Sequence, residues 1–190
     1  QAQAAECGFR FHTIDGARYW DERAYYAFSM AQIEHDLEDP SVELHDMAMG
    51  LVDEIVGSGS LMERLAIPAH YRDWIAESWR KREPHLYGRL DFAYDGKAPA
   101  KLYELNYDTP TSLFEAAFFQ WQWLEDQRAS GRLPRDADQF NSIHEALVER
   151  FGELMASLPP PLVFAAVRES EEDQGTIAYL RDCAAQAGLH

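Results

Sequence analysis

Cysteine is scarce in this chain: Cys7 and Cys183 are the two among 190 residues. They lie far apart and form no CxxC pair, which argues against a zinc site or a disulfide framework and makes a reducing cytoplasm the expected setting. Glycine is scattered, and neither a GxGxxG nor a Walker A pattern occurs, so no phosphate-cradling loop is readable. Positive charge is short as well. Lys and Arg number 17 against 33 Asp and Glu, a net charge of −16, which repels phosphate backbones and anionic lipid headgroups. Nucleic acid and membrane surfaces are therefore not expected partners. The same field either draws in cations, such as Mg²⁺ or a polyamine, or only aids solubility. No apolar run is long enough to span a bilayer. The start, Gln1 to Glu6, has neither the basic nor the apolar region of a signal peptide.

What is present is apolar and aromatic. With 46% apolar and 13% aromatic residues the chain can bury a core, so disorder throughout is not expected. Asp15-Gly16 marks a turn. Asp21 is a candidate N-cap for a helix beginning at Glu22 and carrying Met30, Ile33 and Leu37, which Asp39-Pro40 interrupts. A second helix places Leu44, Met47, Leu51, Val52 and Ile55 on one stripe and ends at Gly57-Ser58-Gly59. A third runs over 69–81. Residues 86–94 alternate like a strand, Asp95-Gly96 is a hairpin signal, and 100–106 is the return strand. Helix resumes at Leu113, a polar loop covers 128–138, and an amphipathic helix spans 138–155 up to Pro159-Pro160-Pro161. Leu162 to Val167 reads as a short buried strand, Glu169 to Asp173 as an acidic loop, and a last helix reaches Ala187-Gly188. The expected class is mixed α/β: a helix-rich layered domain, or the front part of a larger one, with a β-hairpin and a further strand. Its sub-regions are helical 1–85, hairpin 86–112 and helix-strand-helix 113–190.

The hairpin carries the chemistry. Alternate residues of a strand share a face, so Arg89 and Asp91 point together, as do Glu104 and Asn106. If the strands pair through Asp95-Gly96, the four groups converge. Two carboxylates and a carboxamide suit Mg²⁺, a hard cation that takes oxygen ligands and keeps waters and phosphates. An arginine beside them suits a phosphate or acyl-phosphate oxygen. Thr109 and Thr111 add hydroxyls in the following turn. Spacing alone equally allows a solvated hairpin face with cross-strand ion pairs.

The segments Phe11 to Gly16, Tyr19-Trp20-Asp21-Glu22, Ser78-Trp79, Tyr87-Gly88-Arg89-Leu90-Asp91-Phe92, Glu104 to Leu113, Gln120 to Leu124 and Gln139 to His144 follow in an order that resembles the glutathionylspermidine synthase-like family, ligases of the ATP-grasp fold. The resemblance extends over nearly the whole chain. It implies that Arg89 and Asp91 meet ATP phosphate and Mg²⁺, and that Glu104 and Asn106 are metal ligands, with Glu104 also near a thiol tripeptide. It further implies that Thr109 and Thr111 lie beside a glutathione-type substrate, and that Glu172 touches substrate, the polyamine being the candidate. The implied reaction phosphorylates a carboxylate with ATP, and an amine then attacks the acyl phosphate, with Arg89 stabilising the transferring group.

The sequence departs from that family in one respect. The lysines and glycine-rich loop that clamp ATP in ATP-grasp enzymes are not found, nor is the amidase portion fused to some relatives, so this chain alone is not expected to turn over. A non-catalytic ligand-binding module on the same fold is the alternative, and an assembly role for the Trp-rich helix a weaker one. Cys7 with His12 lacks a third group to orient a base, so an ordinary thiol is expected there. Cys183, His45, His144 and the Phe118, Phe119, Trp121 and Trp123 cluster read as packing or boundary residues.

Overall fold

The computed structural model describes residues 8–9, 11–14, 16–108, 111–158 and 161–189. In chain order its elements are β1 (Thr13–Ile14), β2 (Ala17–Arg18), a π-helical segment Gln32–Glu38, α1 (Asp39–Val56), α2 (Gly59–Arg64), α3 (Ala69–Lys81), β3 (Arg89–Ala93), β4 (Lys101–Asn106), a second π-helical segment Glu115–Phe119, α4 (Gln120–Ala129), α5 (Ile143–Leu154) and α6 (Glu171–Gln186). The class is mixed α/β, as expected. The strands form two separate antiparallel pairs, β1 with β2 and β3 with β4. Two compact units result: Ala27–Asn106, and Gln1–Tyr26 together with Tyr107–His190.

In the unit Ala27–Asn106, Pro40 behaves differently from its sequence reading. The helix expected from Glu22 does not start there. Asp21 folds back onto Arg23, accepting its backbone N–H at 3.0 Å and its guanidinium. The helix begins at Met30, winds through Gln32–Glu38 and continues as α1 with Pro40 inside its first turn. Proline has no N–H to offer the carbonyl four residues back. That carbonyl, on Asp36, accepts the N–H of Ala100 at 2.8 Å. The Asp36 carboxylate accepts Tyr94 Oη–H at 2.6 Å, and Gln32 Nε2 donates to the Gly96 carbonyl at 3.0 Å. Gly96 sits at φ +78°, where a side chain would be strained. The missing proline donor thus helps fasten the β3–β4 loop onto the helix. α3 has the bounds the sequence predicts, and its Trp79 Nε1 donates to Asp53 of α1 at 2.8 Å. Burial here is thin: among the described residues Ile33, Met62 and Ala100 are its buried apolar side chains.

The second unit is organised by aromatic packing. Phe9 is 1% exposed, stacks on Phe119 at 4.3 Å and meets Phe11 edge-on at 4.6 Å, with Trp20, Phe114 and Phe118 around them. Burying each such ring is worth about 1.5–3 kcal/mol. α6 lies close against this cluster at Gly175, where an added Cβ would stand 3.1 Å from the Phe11 ring. Its Tyr179 stacks on Phe114 at 5.3 Å.

Four sequence expectations need correction in this unit. The N-terminal stretch is not purely helical, since β1 and β2 form a small hairpin. α5 begins at Ile143, not at residue 138, because Asp138 and Asn141 turn their side chains onto the backbone N–H groups of Gln139 and Ile143. Leu162 to Val167 is not a buried strand. A strand needs a ladder partner for its N–H and C=O groups; among the described residues this segment has none, and Val163 is 77% exposed. The acidic loop is partly helix: Ser170 caps α6 by accepting the Asp173 N–H at 3.1 Å, so Glu171, Glu172 and Asp173 form its first turn. Carboxylates there complement the positive end of the helix dipole.

Candidate functional site

The register of β3 and β4 sets the geometry. Arg89 stands opposite Asn106 and Asp91 opposite Glu104, so the four polar residues singled out by spacing share one face of the pair. Just beyond Asp91 the ladder is irregular: Phe92 pairs with Leu102, and Tyr103 is the extra residue, 79% exposed. A bulge re-aims the strand and often lies beside a functional position. It leaves the stretch Arg89 to Asp91 in register with Glu104 to Asn106.

This face carries Asp91 and Glu104 together with Arg89 and, opposite Ala93, Lys101. Opposing strand residues hold their Cβ atoms about 4.5–5.5 Å apart, and two carboxylates so placed repel unless a cation lies between or beside them. Arg89 supplies one. Its Nε donates to Asp91 Oδ1 at 2.6 Å and its Nη2 to Oδ2 at 3.0 Å, a two-pronged pair. Both side chains are about a third exposed, 33% and 37%, so the pair is worth at most about 1 kcal/mol and does not by itself hold the hairpin. Glu104 is exposed and Asn106 half-buried. Tyr87, two residues before Arg89, has its phenol pushed up by burial, with Arg89 pulling the other way.

Oxygen donors of this kind fit a hard divalent ion. Among the described residues no group of three or more His, Cys, Asp or Glu side chains is placed to hold a metal. An ion here would rely on Asp91, Glu104 and the Asn106 amide oxygen, with water or phosphate completing its shell, which is how Mg²⁺ is commonly bound.

The remaining predicted positions belong to the other unit. Thr109 lies outside the described residues. Thr111 is half-buried just before the helical stretch that begins at Leu113, and Glu172 is in the first turn of α6. Between them is a group the sequence reading missed. Glu115 is 4% exposed, and its Oε1 accepts Tyr19 Oη–H at 2.8 Å. Tyr19 Oη also lies 3.5 Å from Ser112 Oγ. Having given its hydrogen to Glu115, it accepts there. Burial raises the Glu115 carboxyl above the ordinary carboxylate range despite the Tyr19 hydrogen bond, and Glu172 pushes it the same way. Tyr19 is likewise raised, first by burial. One signal was readable: Glu115 is the lone charge in the apolar run Leu113 to Phe119.

His144 and Cys183 are structural, in line with their sequence reading. His144 Nε2 meets Gln186 Oε1 at 3.2 Å and Nδ1 meets Tyr179 Oη at 2.8 Å. Cys183 is fully buried, and burial pushes its thiol up, the reverse of an activated nucleophile. Cys7 lies outside the described residues. No helix among them is long and apolar enough to cross a membrane.

The family profile described as glutathionylspermidine synthase preATP-grasp matches residues 1–190. A Haemophilus influenzae protein, provisionally named an acid–amine ligase, is 38% identical over 191 residues, covering 98% of this chain and 47% of that protein. The bifunctional glutathionylspermidine synthetase/amidase of Escherichia coli is 29% identical over 106 residues, 55% of this chain and 17% of that protein. Trypanothione synthetase of Crithidia fasciculata is 27% identical over 84 residues, 44% of this chain and 13% of that protein. The chain therefore spans about half the length of the Haemophilus relative, and a smaller share of the other two.

Proposed function

The chain belongs to the glutathionylspermidine synthase preATP-grasp family, and from that premise we propose that it supplies the metal- and substrate-binding half of an ATP-dependent ligase. That ligase joins a peptide carboxylate of the glutathione type to a polyamine or another amine. The observation that carries this reading is the strand register that sets Asp91 against Glu104 and Arg89 against Asn106. Asp91, Glu104 and Asn106 would hold Mg²⁺, which when bound neutralises phosphate charge. Arg89 would leave Asp91 for a phosphate oxygen, and its planar fork suits that exchange because both partners accept two parallel N–H bonds. The hydroxyls of Thr109 and Thr111 would orient the peptide. Glu172, in the acidic first turn of α6, would attract the amine as an ammonium. Once that ammonium has lost a proton, the amine attacks the acyl phosphate carbonyl, forming the amide and releasing inorganic phosphate, so no nucleophile from the protein is required.

Protein expressed from the complete reading frame, given ATP, Mg²⁺, glutathione and spermidine, should release ADP only when acid and amine are both present. Asp91→Ala should lower that release by about 10²–10³-fold, the loss usual for one preorganised electrostatic partner. ADP release at the wild-type rate from the variant would remove Asp91 from the site.

A second reading, a binding module without chemistry, is favoured by the closed Arg89–Asp91 pair, which satisfies both carboxylate oxygens internally. Calorimetry separates the two: a module gives heat with glutathione or spermidine and no ADP release.

A further inference from the structure

We propose that Tyr19 and Glu115 form a positioning pair that fixes the spacing between the hydroxyl-bearing turn at Thr111 and the acidic first turn of α6 at Glu172. This deepens the reading above and rests on it.

The two ends of that span are 61 residues apart in sequence and belong to one compact unit. Ser112 marks the first end. It is a non-glycine residue at φ +66°, a conformation that persists only where the surroundings hold it. Its carbonyl accepts the Ala116 N–H at 3.1 Å, so its backbone also opens the helix that carries Glu115. Thr111 directly precedes it, and the direction in which the turn enters the helix is therefore set at Ser112. The hydroxyl of Ser112 donates to Tyr19 Oη, which donates to Glu115 Oε1. A three-member relay thus runs from the turn into the buried carboxyl.

Glu172 marks the other end. Its charge acts on both Tyr19 and Glu115. Thr176, one helical turn after Glu172 and on the same side of α6, is buried. Gly175 beside it lets α6 approach the Phe11 and Phe114 rings. Among the described residues Glu115 Oε2 and Thr176 Oγ1 have no hydrogen-bond partner. Tyr19 is the side-chain donor to the buried Glu115, beside that residue's own backbone N–H, and a carboxyl that loses a donor at such a depth is costly to keep. Tyr19, brought in from the β1–β2 hairpin, ties the turn at Ser112 to the Glu115 carboxyl, and its ring lies 6.1 Å from that of Phe11, on which α6 packs at Gly175. The second π-helical segment begins at Glu115 itself, and such windings recur at functional positions.

Three variants of the complete protein test the pair: Tyr19→Phe, Glu115→Ala and Glu115→Gln. Steady-state ADP release and calorimetric titration would use glutathione and spermidine as probes. Tyr19→Phe and Glu115→Ala should raise KM and the dissociation constants for both probes about tenfold, with kcat within threefold of wild type. Glu115→Gln keeps an oxygen that accepts from Tyr19 and should stay within about twofold of wild type. The pair is overturned if Glu115→Gln is as impaired as Glu115→Ala, since charge and not position would then matter. It is also overturned if Tyr19→Phe lowers only the melting temperature and leaves both constants unchanged. If wild-type protein neither binds the probes nor releases ADP, the ligase reading itself fails, and this inference fails with it.

Discussion

Glu115 is the residue where two demands meet. Its place in an apolar run drives it into the core, and its carboxyl then has to find a donor, which is Tyr19. Burial outweighs that hydrogen bond and raises the carboxyl above its ordinary value of 4.5. The sign of the pH dependence follows. A carboxyl with a raised folded-state pKa binds its proton more tightly in the fold than in the unfolded chain. The stabilisation is complete below about pH 4.5 and is lost as pH rises through the raised value. Chemical denaturation across this range should show wild type losing stability relative to Glu115→Gln as pH climbs, with parallel curves contradicting the shift. Spacing pointed to Arg89 with Asp91 and to Glu104 with Asn106 because a strand has a fixed two-residue period; that the two pairs share one face depends on the register. Tyr19 and Glu115 were not legible, because their meeting depends on how the β1–β2 hairpin packs onto a helix 96 residues later.

Elements were legible where a local signal was also the deciding one. The bounds of α3 and the stop of α1 at Gly57 follow from apolar periodicity and helix-ending residues. Pro40 was misread because a proline in the first turn of a helix looks, in sequence, like one that ends it. The difference lies in Ala100, which takes the carbonyl that proline leaves without a donor. Leu162 to Val167 has the composition of a strand, but pairing belongs to a partner and composition cannot supply one. The start of α6 was placed late because Glu169 to Asp173 reads as a charged loop until Ser170 is recognised as its cap. Removing that cap with Ser170→Ala should cost about 1 kcal/mol in urea unfolding. It should also loosen the first turn that carries Glu172. A change within 0.2 kcal/mol would mean that packing of α6 alone fixes this end, on the scale of ordinary surface substitutions of about ±0.5 kcal/mol.

At the scale of the molecule, the net charge is −16. Most of it is spread over exposed helices, where it costs little. On the β3–β4 face two carboxylates, Asp91 and Glu104, oppose each other, with Arg89 paired to Asp91 and Lys101 further along the same face. The facing carboxylates of Asp91 and Glu104 are what the proposed divalent cation would bridge. The most direct test is the Mg²⁺ dependence of ADP release by the complete protein, wild type against Glu104→Gln. The amide keeps the shape and one oxygen donor while removing a charge, so the Mg²⁺ concentration for half-maximal rate should rise at least tenfold, with much of the rate recovered at saturation. An unchanged Mg²⁺ dependence would contradict the account, leaving Arg89, Asp91, Glu104 and Asn106 as an ion-paired hairpin face.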